Sequence, residues 1–175
     1  QGLYWRNRDP KQSTDFSFSR FLVPFLMNYK GWAIFMDCDM LCRGDISQLW
    51  SLKDESKSIM CAKHIHEPIE KVKFLGETQS KYKMKNWSSL MLFNCSKCRN
   101  LTLDYVNNSS GLQLHQFHWL EEENLIGEID KNDWNFLVDV QSLSSKSIKK
   151  NNPKLIHWTL GGPWFEDSLS SDKYF

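Results

Sequence analysis

Gly31-Trp32-Ala33-Ile34-Phe35-Met36-Asp37-Cys38-Asp39 is the stretch on which the reading of this chain turns. Five apolar residues, Trp32 to Met36, stand between a glycine and an acidic pair. That pattern predicts a buried strand. The carboxylates fall where the strand ends, and residues i and i+2 of an extended segment point the same way. Neighbouring carboxylates repel each other, and burying them is costly unless something compensates. A hard divalent cation does so, because it prefers oxygen ligands and is often shared between carboxylates and substrate phosphates. The stretch therefore predicts a site for a metal and a phosphorylated ligand. A polar strand-to-loop corner with two solvated acids is the plainer alternative.

Upstream, Phe18, Phe21, Leu22, Phe25, Leu26 and Tyr29 recur at helical spacing. Pro24 predicts a late start or a kink, and Asp15 and Ser17 are cap candidates. Gly31 ends this helix. Downstream, Asp45 to Trp50 reads as a short helix capped by Asp45. Strands are predicted over 57–63 and 90–93, and a polar loop over 67–85. Segments 98–106 and 119–125 have helical character, and 135–140 reads as strand or loop. An exposed connection over 142–152 precedes Leu155-Ile156 and His157. Strands and helices interleave, which predicts an α/β layered fold in one domain spanning 1–175, irregular over 1–14 and 166–175.

The chain has 175 residues, enough for a sizeable core, with 41% hydrophobic and 25% charged residues. A net charge of +1 gives no nucleic-acid footprint, although Lys71, Lys73, Lys81, Lys83 and Lys85 cluster. A solvated face accounts for those lysines; a patch for a charged acceptor is the sharper alternative. Eight tryptophans suit either a core or stacking on sugars. Five cysteines, with a lone Cys95-x-x-Cys98 pair, lack the second pair of a zinc ribbon and fit free thiols in a cytoplasmic setting. Sequons at Asn86, Asn94, Asn100, Asn107 and Asn108 overlap expected core or site positions and are read as chance. No signal peptide is visible, and no apolar run approaches the roughly 20 residues of a membrane span.

Further motifs could carry chemistry. His157-Trp158-Thr159-Leu160-Gly161-Gly162-Pro163-Trp164 combines a candidate metal ligand with glycines that admit a phosphate to the backbone. A packed turn with an ordinary histidine is its alternative. Asn86-Trp87-Ser88-Ser89, before the 90–93 strand, offers hydrogen-bonding groups to sugar hydroxyls, or simply a turn. Arg20 has the planar fork that grips a diphosphate, or is a surface arginine. His64 and His66, two apart, read better as loop histidines than as a metal pair.

Taken in order, these motifs resemble the metal-dependent nucleotide-sugar transferases of the GT-A fold, near glycosyltransferase family 8 and a compact bacterial branch of it. Phe18-Ser19-Arg20-Phe21-Leu22-Val23-Pro24 resembles the helix before the metal motif, and Ala33 to Asp39 the strand and DxD motif. Asp45-Ile46 and Leu49-Trp50 match the segment that follows. Trp87 to Asn94 resembles the sugar-contacting strand, Trp134-Asn135 a late Trp-Asn pair, and His157 to Trp164 the terminal motif. The resemblance covers roughly residues 15 to 166. It implies that Asp37, Asp39 and His157 hold Mn²⁺ (or Mg²⁺) against the diphosphate of a donor, a UDP-sugar by resemblance. It also implies that Gly161 and Gly162 lie against the phosphates and that Trp164 walls the site. Arg20 would contact the nucleotide side, and Ser88 and Ser89 the donor sugar. Gln116 would stand near the reacting carbon, with retention at the anomeric centre and a carbohydrate or other hydroxyl as acceptor.

The sequence departs from the family pattern in places. Gly162 replaces a lysine before Pro-Trp, and His115-Gln116 stands where relatives have Asp-Gln. The resemblance also implies a chain that lacks the relatives' N-terminal nucleotide-binding unit, a strand-helix-strand of about 30 residues or more. Two rivals stand beside it. A haloacid-dehalogenase-like phosphohydrolase would use the first acid as nucleophile, and a non-catalytic sugar- or nucleotide-binding domain would need no chemistry.

Overall fold

The computed structural model describes residues 2–8, 12, 14, 16–65, 84–138, 152–159 and 161–162. Its larger sheet has four strands: β1 (Trp32–Met36), β3 (Ile59–Ala62), β4 (Leu90–Asn94) and β5 (Ile126–Ile129), in the order β1-β4-β3-β5. A smaller three-stranded sheet holds β2 (Met40–Cys42), β6 (Phe136–Leu137) and β7 (Leu155–His157), in the order β2-β7-β6. Both sheets are mixed. β4 runs antiparallel to β1 and β3, while β3 and β5 are parallel. β7 is antiparallel to β2 and parallel to β6.

Alternation along the strands divides the core. Met91 and Phe93 of β4 join Ile59 and Cys61 of β3, and Ala33 and Phe35 of β1, on one face. Leu90 and Leu92, Met60, and Trp32, Ile34 and Met36 line the other. The larger sheet is therefore covered on both faces, which explains why β1 and β4 read as unbroken apolar runs. The first face packs against Phe18, Phe21, Leu101, Val106 and Leu114. The second packs against Leu49, Trp134 and Leu155, and Leu155 belongs to the smaller sheet. Burying one such phenylalanine or leucine contributes about 1.5–3 kcal/mol.

The helices are short. Ser19–Leu22 forms a 3₁₀ turn and α1 (Val23–Leu26) follows it, so the α-helix starts late, as expected from Pro24. Pro24 is the reason: it lacks an N–H and sits in the first turn of α1. Ser17 does not cap this helix, because its hydroxyl donates instead to the Thr14 carbonyl at 2.8 Å. Asp15 lies outside the described residues. The α2 helix (Ile46–Trp50) begins as expected, with the Asp45 carboxylate accepting from the Ser47 N–H.

Three expectations change further along. Residues 98–102 stay outside α3 (Leu103–Asn108), because Thr102 caps it and sets its start. A further helix, α4 (Gly111–His115), opens on a capping box between Ser110 and Gln113. Segment 119–125 ends in a 3₁₀ turn, Glu123–Leu125, and then enters β5, which pairs with β3 far away in sequence. Gly127 of β5 is packed tightly: a Cβ there would lie 2.1 Å from Met60 Sδ. The polar loop lies almost entirely outside the described residues, as do 139–151 and 163–175. No described helix is long and apolar enough to cross a membrane.

Candidate metal centre

The end of β1 carries Asp37, whose backbone N–H donates to the Ser89 carbonyl at 2.9 Å. After one turn the chain enters β2, and Met40 pairs with His157 of β7. The Trp158 N–H donates to the Asp39 carbonyl at 3.1 Å. This pairing brings together residues far apart in sequence. His157 Nε2 lies 3.2 Å from Asp39 Oδ1, and one ligand atom from each of Asp37, Asp39 and His157 lies within 4.8 Å of the others. His157 is buried; Asp37 and Asp39 are part-exposed. Two carboxylates and one imidazole form a mixed oxygen and nitrogen donor set suited to a divalent ion such as Mn²⁺.

Arg20 meets Asp37 because both lie on the same face of the larger sheet. The 3₁₀ turn carrying Arg20 packs on the face that holds Phe35, and the guanidinium sits 4.9 Å from that ring's centre. Its NH2 lies 2.9 Å from Asp37 Oδ1, and NH1 donates to Asp37 Oδ2 at 3.2 Å. NH1 also donates to the Ser88 carbonyl at 2.9 Å, and Nε to the Ser17 carbonyl at 2.8 Å. Burial pushes the Asp37 carboxyl above its usual range; Arg20 and His157 pull it back, and Asp39 pushes it up again.

The two serines lie inside the structure. Ser88 Oγ is 2.7 Å from His115 Nδ1, while Ser89 Oγ donates to the Asn86 carbonyl at 2.6 Å. Gln116 follows α4 and lines a separate cavity of about 170 Å³ with Met84, Phe117, His118 and Glu121. Gly161 has φ +119°, a conformation that glycine adopts readily and L-residues rarely do; Gly162 is buried. Trp164 and His66 lie outside the described residues, as do Lys71, Lys73, Lys81 and Lys83. His64 and Lys85 are buried, against the solvated loop histidine and solvated lysine face expected from the sequence. All five cysteines are free; Cys38 and Cys42 are exposed.

Sequence reasoning assigned no site role to Asn135, and took Asn86 only as a possible hydrogen-bonding group for sugar hydroxyls. Asn135 is fully buried, and its Oδ1 lies 2.8 Å from His157 Nδ1. Asn135 Nδ2 donates to Ser89 Oγ at 2.9 Å and to the Asn86 carbonyl at 3.4 Å. The available signal was Trp134-Asn135 just before a short strand, read only as a matching pair. His115 was also passed over. Its ring sits 5.5 Å from that of Phe18 and 5.3 Å from that of Phe21, between centroids.

Comparison with known proteins adds three findings. The family model described as Glycosyl transferase family 8 matches residues 4–168. The chain is 47% identical over 168 residues to Protein CDI of Arabidopsis thaliana, a match covering 95% of this chain and 64% of that protein. The chain thus spans less than two thirds of the length of this curated relative. Among solved structures it is similar to a glycosyltransferase involved in the glycosylation of the major capsid of PBCV-1. That match has a TM-score of 0.50 at 10% identity, and covers 87% of this chain and 77% of the other. At that identity the likeness is one of fold alone, and the fold is a GT-A-type α/β arrangement of mixed sheets flanked by helices.

Proposed function

The chain belongs to glycosyl transferase family 8, and on that premise we propose that it moves a sugar from a nucleotide diphosphate donor to a hydroxyl acceptor. The proposal extends to a UDP-sugar donor, a carbohydrate or other hydroxyl acceptor, dependence on Mn²⁺ or Mg²⁺, retention at the anomeric carbon and a cytoplasmic site of action. One observation carries it: Asp37, Asp39 and His157 offer ligand atoms within 4.8 Å of one another. A phosphate-binding role for the glycine turn draws support from Gly161, whose φ of +119° lets the main chain approach a ligand closely. The free thiols of all five cysteines fit a reducing compartment.

When bound, the metal supplies Lewis acidity that offsets charge on the departing diphosphate. The protein's own groups do the rest. Asp37, Asp39 and His157 would hold the ion, and Arg20 keeps Asp37 in place with its bidentate fork. Gly161 and Gly162 would lie along the phosphates and Trp164 would shield them; the role at the reacting carbon that the resemblance implies for Gln116 has no support from its position, in a cavity whose lining includes none of Asp37, Asp39 and His157. Ser88 and Ser89 shape the donor-sugar side from within, since both hydroxyls are hydrogen-bonded to other protein groups.

The experiment is a thermal-shift screen of UDP-sugars with and without Mn²⁺, followed by assay of UDP release. Ligands that bind only the native state raise the melting temperature with occupancy. The proposal expects a shift that needs both components, and its loss in Asp39→Asn. A covalent phosphate on Asp37 would point to hydrolysis instead, and a Mn²⁺-independent sugar shift without UDP release to a binding domain.

A further inference from the structure

We infer that Asn135 is a positioning residue that fixes which nitrogen of His157 faces the two carboxylates. The role of that nitrogen as a metal ligand rests on the proposed function above; the orientation itself does not.

The Asn86 carbonyl can only accept a hydrogen bond. Ser89 Oγ lies 2.6 Å from it, so the serine proton is committed there. Asn135 lies 2.9 Å from Ser89 Oγ and 3.4 Å from the same carbonyl through one amide atom. Only the NH₂ end of an amide satisfies both neighbours. Turning the amide over would set its oxygen against the Asn86 carbonyl oxygen and against a hydroxyl whose proton is already used. The amide is therefore oriented by the network around it.

Its oxygen then faces His157 Nδ1 at 2.8 Å. An amide oxygen only accepts, so Nδ1 carries the proton. In a neutral ring this leaves Nε2 with its lone pair, and Nε2 is the atom 3.2 Å from Asp39 Oδ1. The ring thus presents an electron pair toward an acidic group, an arrangement that a bound cation completes. Hydrogen bonding at the far nitrogen is how ligand histidines are generally oriented.

The backbone explains why asparagine occupies both key positions. Asn86 and Asn135 each have φ +65°, a left-handed conformation that asparagine tolerates better than most residues. Asn135 directly precedes β6, and the β6–β7 register sets Leu137 opposite His157. One residue therefore makes the turn into β6 and reaches the imidazole on the neighbouring strand.

The test uses the chain with ring-¹⁵N histidine, free of metal, at a pH where imidazoles are neutral. Long-range ¹H–¹⁵N spectra report which nitrogen bears the proton, and the signal missing from His157→Gln identifies residue 157 among the five histidines. The expected wild-type state is the Nδ1–H form. Asn135→Leu should lose it and weaken Mn²⁺ binding about 10–100-fold, while Asn135→Asp, which keeps an acceptor oxygen, should retain it. Leucine at φ +65° strains the turn, so Ser89→Ala serves as a milder second variant and should give a mixture of tautomers. An Nε2–H ring in the wild type overturns the inference, and so does an unchanged tautomer in a folded Asn135→Leu. A wild type with the Nδ1–H ring that binds no Mn²⁺ overturns the metal reading instead and supports the assignment made here.

Discussion

Replacing Arg20 with methionine tests how the acidic end of β1 is held. The substitution removes the ion pair at 2.9 Å, the second contact to Asp37 at 3.2 Å, and two donations to main-chain carbonyls. Breaking a buried ion pair from one side costs about 3–5 kcal/mol. Here the Arg20 and Asp37 side chains keep 11% and 21% of their exposure, so water can approach both. We expect a loss of about 2–3 kcal/mol at pH 7, with solvent screening offsetting part of the full penalty.

The loss should depend on pH in a defined direction. Asp37 is already raised by burial, and losing Arg20 raises it further. A carboxyl whose folded value lies above its unfolded one favours the native state when protonated. That contribution is complete below the ordinary value of 3.8 and disappears as pH rises through the folded value. The penalty in Arg20→Met should therefore be greatest at neutral pH and shrink toward pH 4. Each additional unit of upward shift corresponds to about 1.4 kcal/mol. Urea unfolding followed by tryptophan fluorescence, at a series of pH values, measures it. A variant within about 0.5 kcal/mol of wild type at pH 7, or a penalty that does not change with pH, would refute the reasoning.

Four further outcomes follow from the geometry. Asp39→Asn should abolish Mn²⁺-dependent stabilisation in differential scanning fluorimetry while the metal-free protein still melts cooperatively. Gly127→Ala should destabilise the protein by about 1–3 kcal/mol, because its new methyl meets Met60; chemical denaturation reads this, and Met60→Ala should cost less in the Gly127→Ala background than in the wild type. Phe93→Ala, at a fully buried position of β4, should cost about 3–5 kcal/mol by the same measurement. In thiol titration of the native protein, Cys38 and Cys42 should react first. Cys61, pushed up by burial to about 12, and Cys95, to about 11, should react only after unfolding, as should Cys98, also raised by burial.

The parts of the fold legible in the sequence were those stated locally. Trp32 to Met36 and Leu90 to Phe93 announce themselves because both faces of their sheet are covered. Asp45 announces α2 because it caps it through its own side chain. By contrast, β5 contains Gly127 and Glu128 and follows an acidic run; what makes it a strand is parallel pairing with β3, a distant partner. β2 is three residues long and exists through β7. The helix α4 did carry a local sign, Ser110-x-x-Gln113, that was not used. At the site, the acidic pair could be read from spacing, and His157 was tied to it by resemblance; the cross-strand pairing puts the three within reach of one another. Asn135 escaped because its importance lies in what its amide faces, which no local pattern encodes.

Asp37 extends from a strand of the larger sheet, whereas His157 belongs to the smaller one. Anything that grips both is consequently a fastener between two separately hydrogen-bonded layers. Its release would leave the packing of Leu155 against the larger sheet as a remaining side-chain tie between them. Damage to the Phe136, Ile156 and Trp158 cluster that steadies that layer would then masquerade as a ligand defect, though no ligand need touch those side chains. Amide exchange in β6 and β7 is where occupancy of the centre would be heard first.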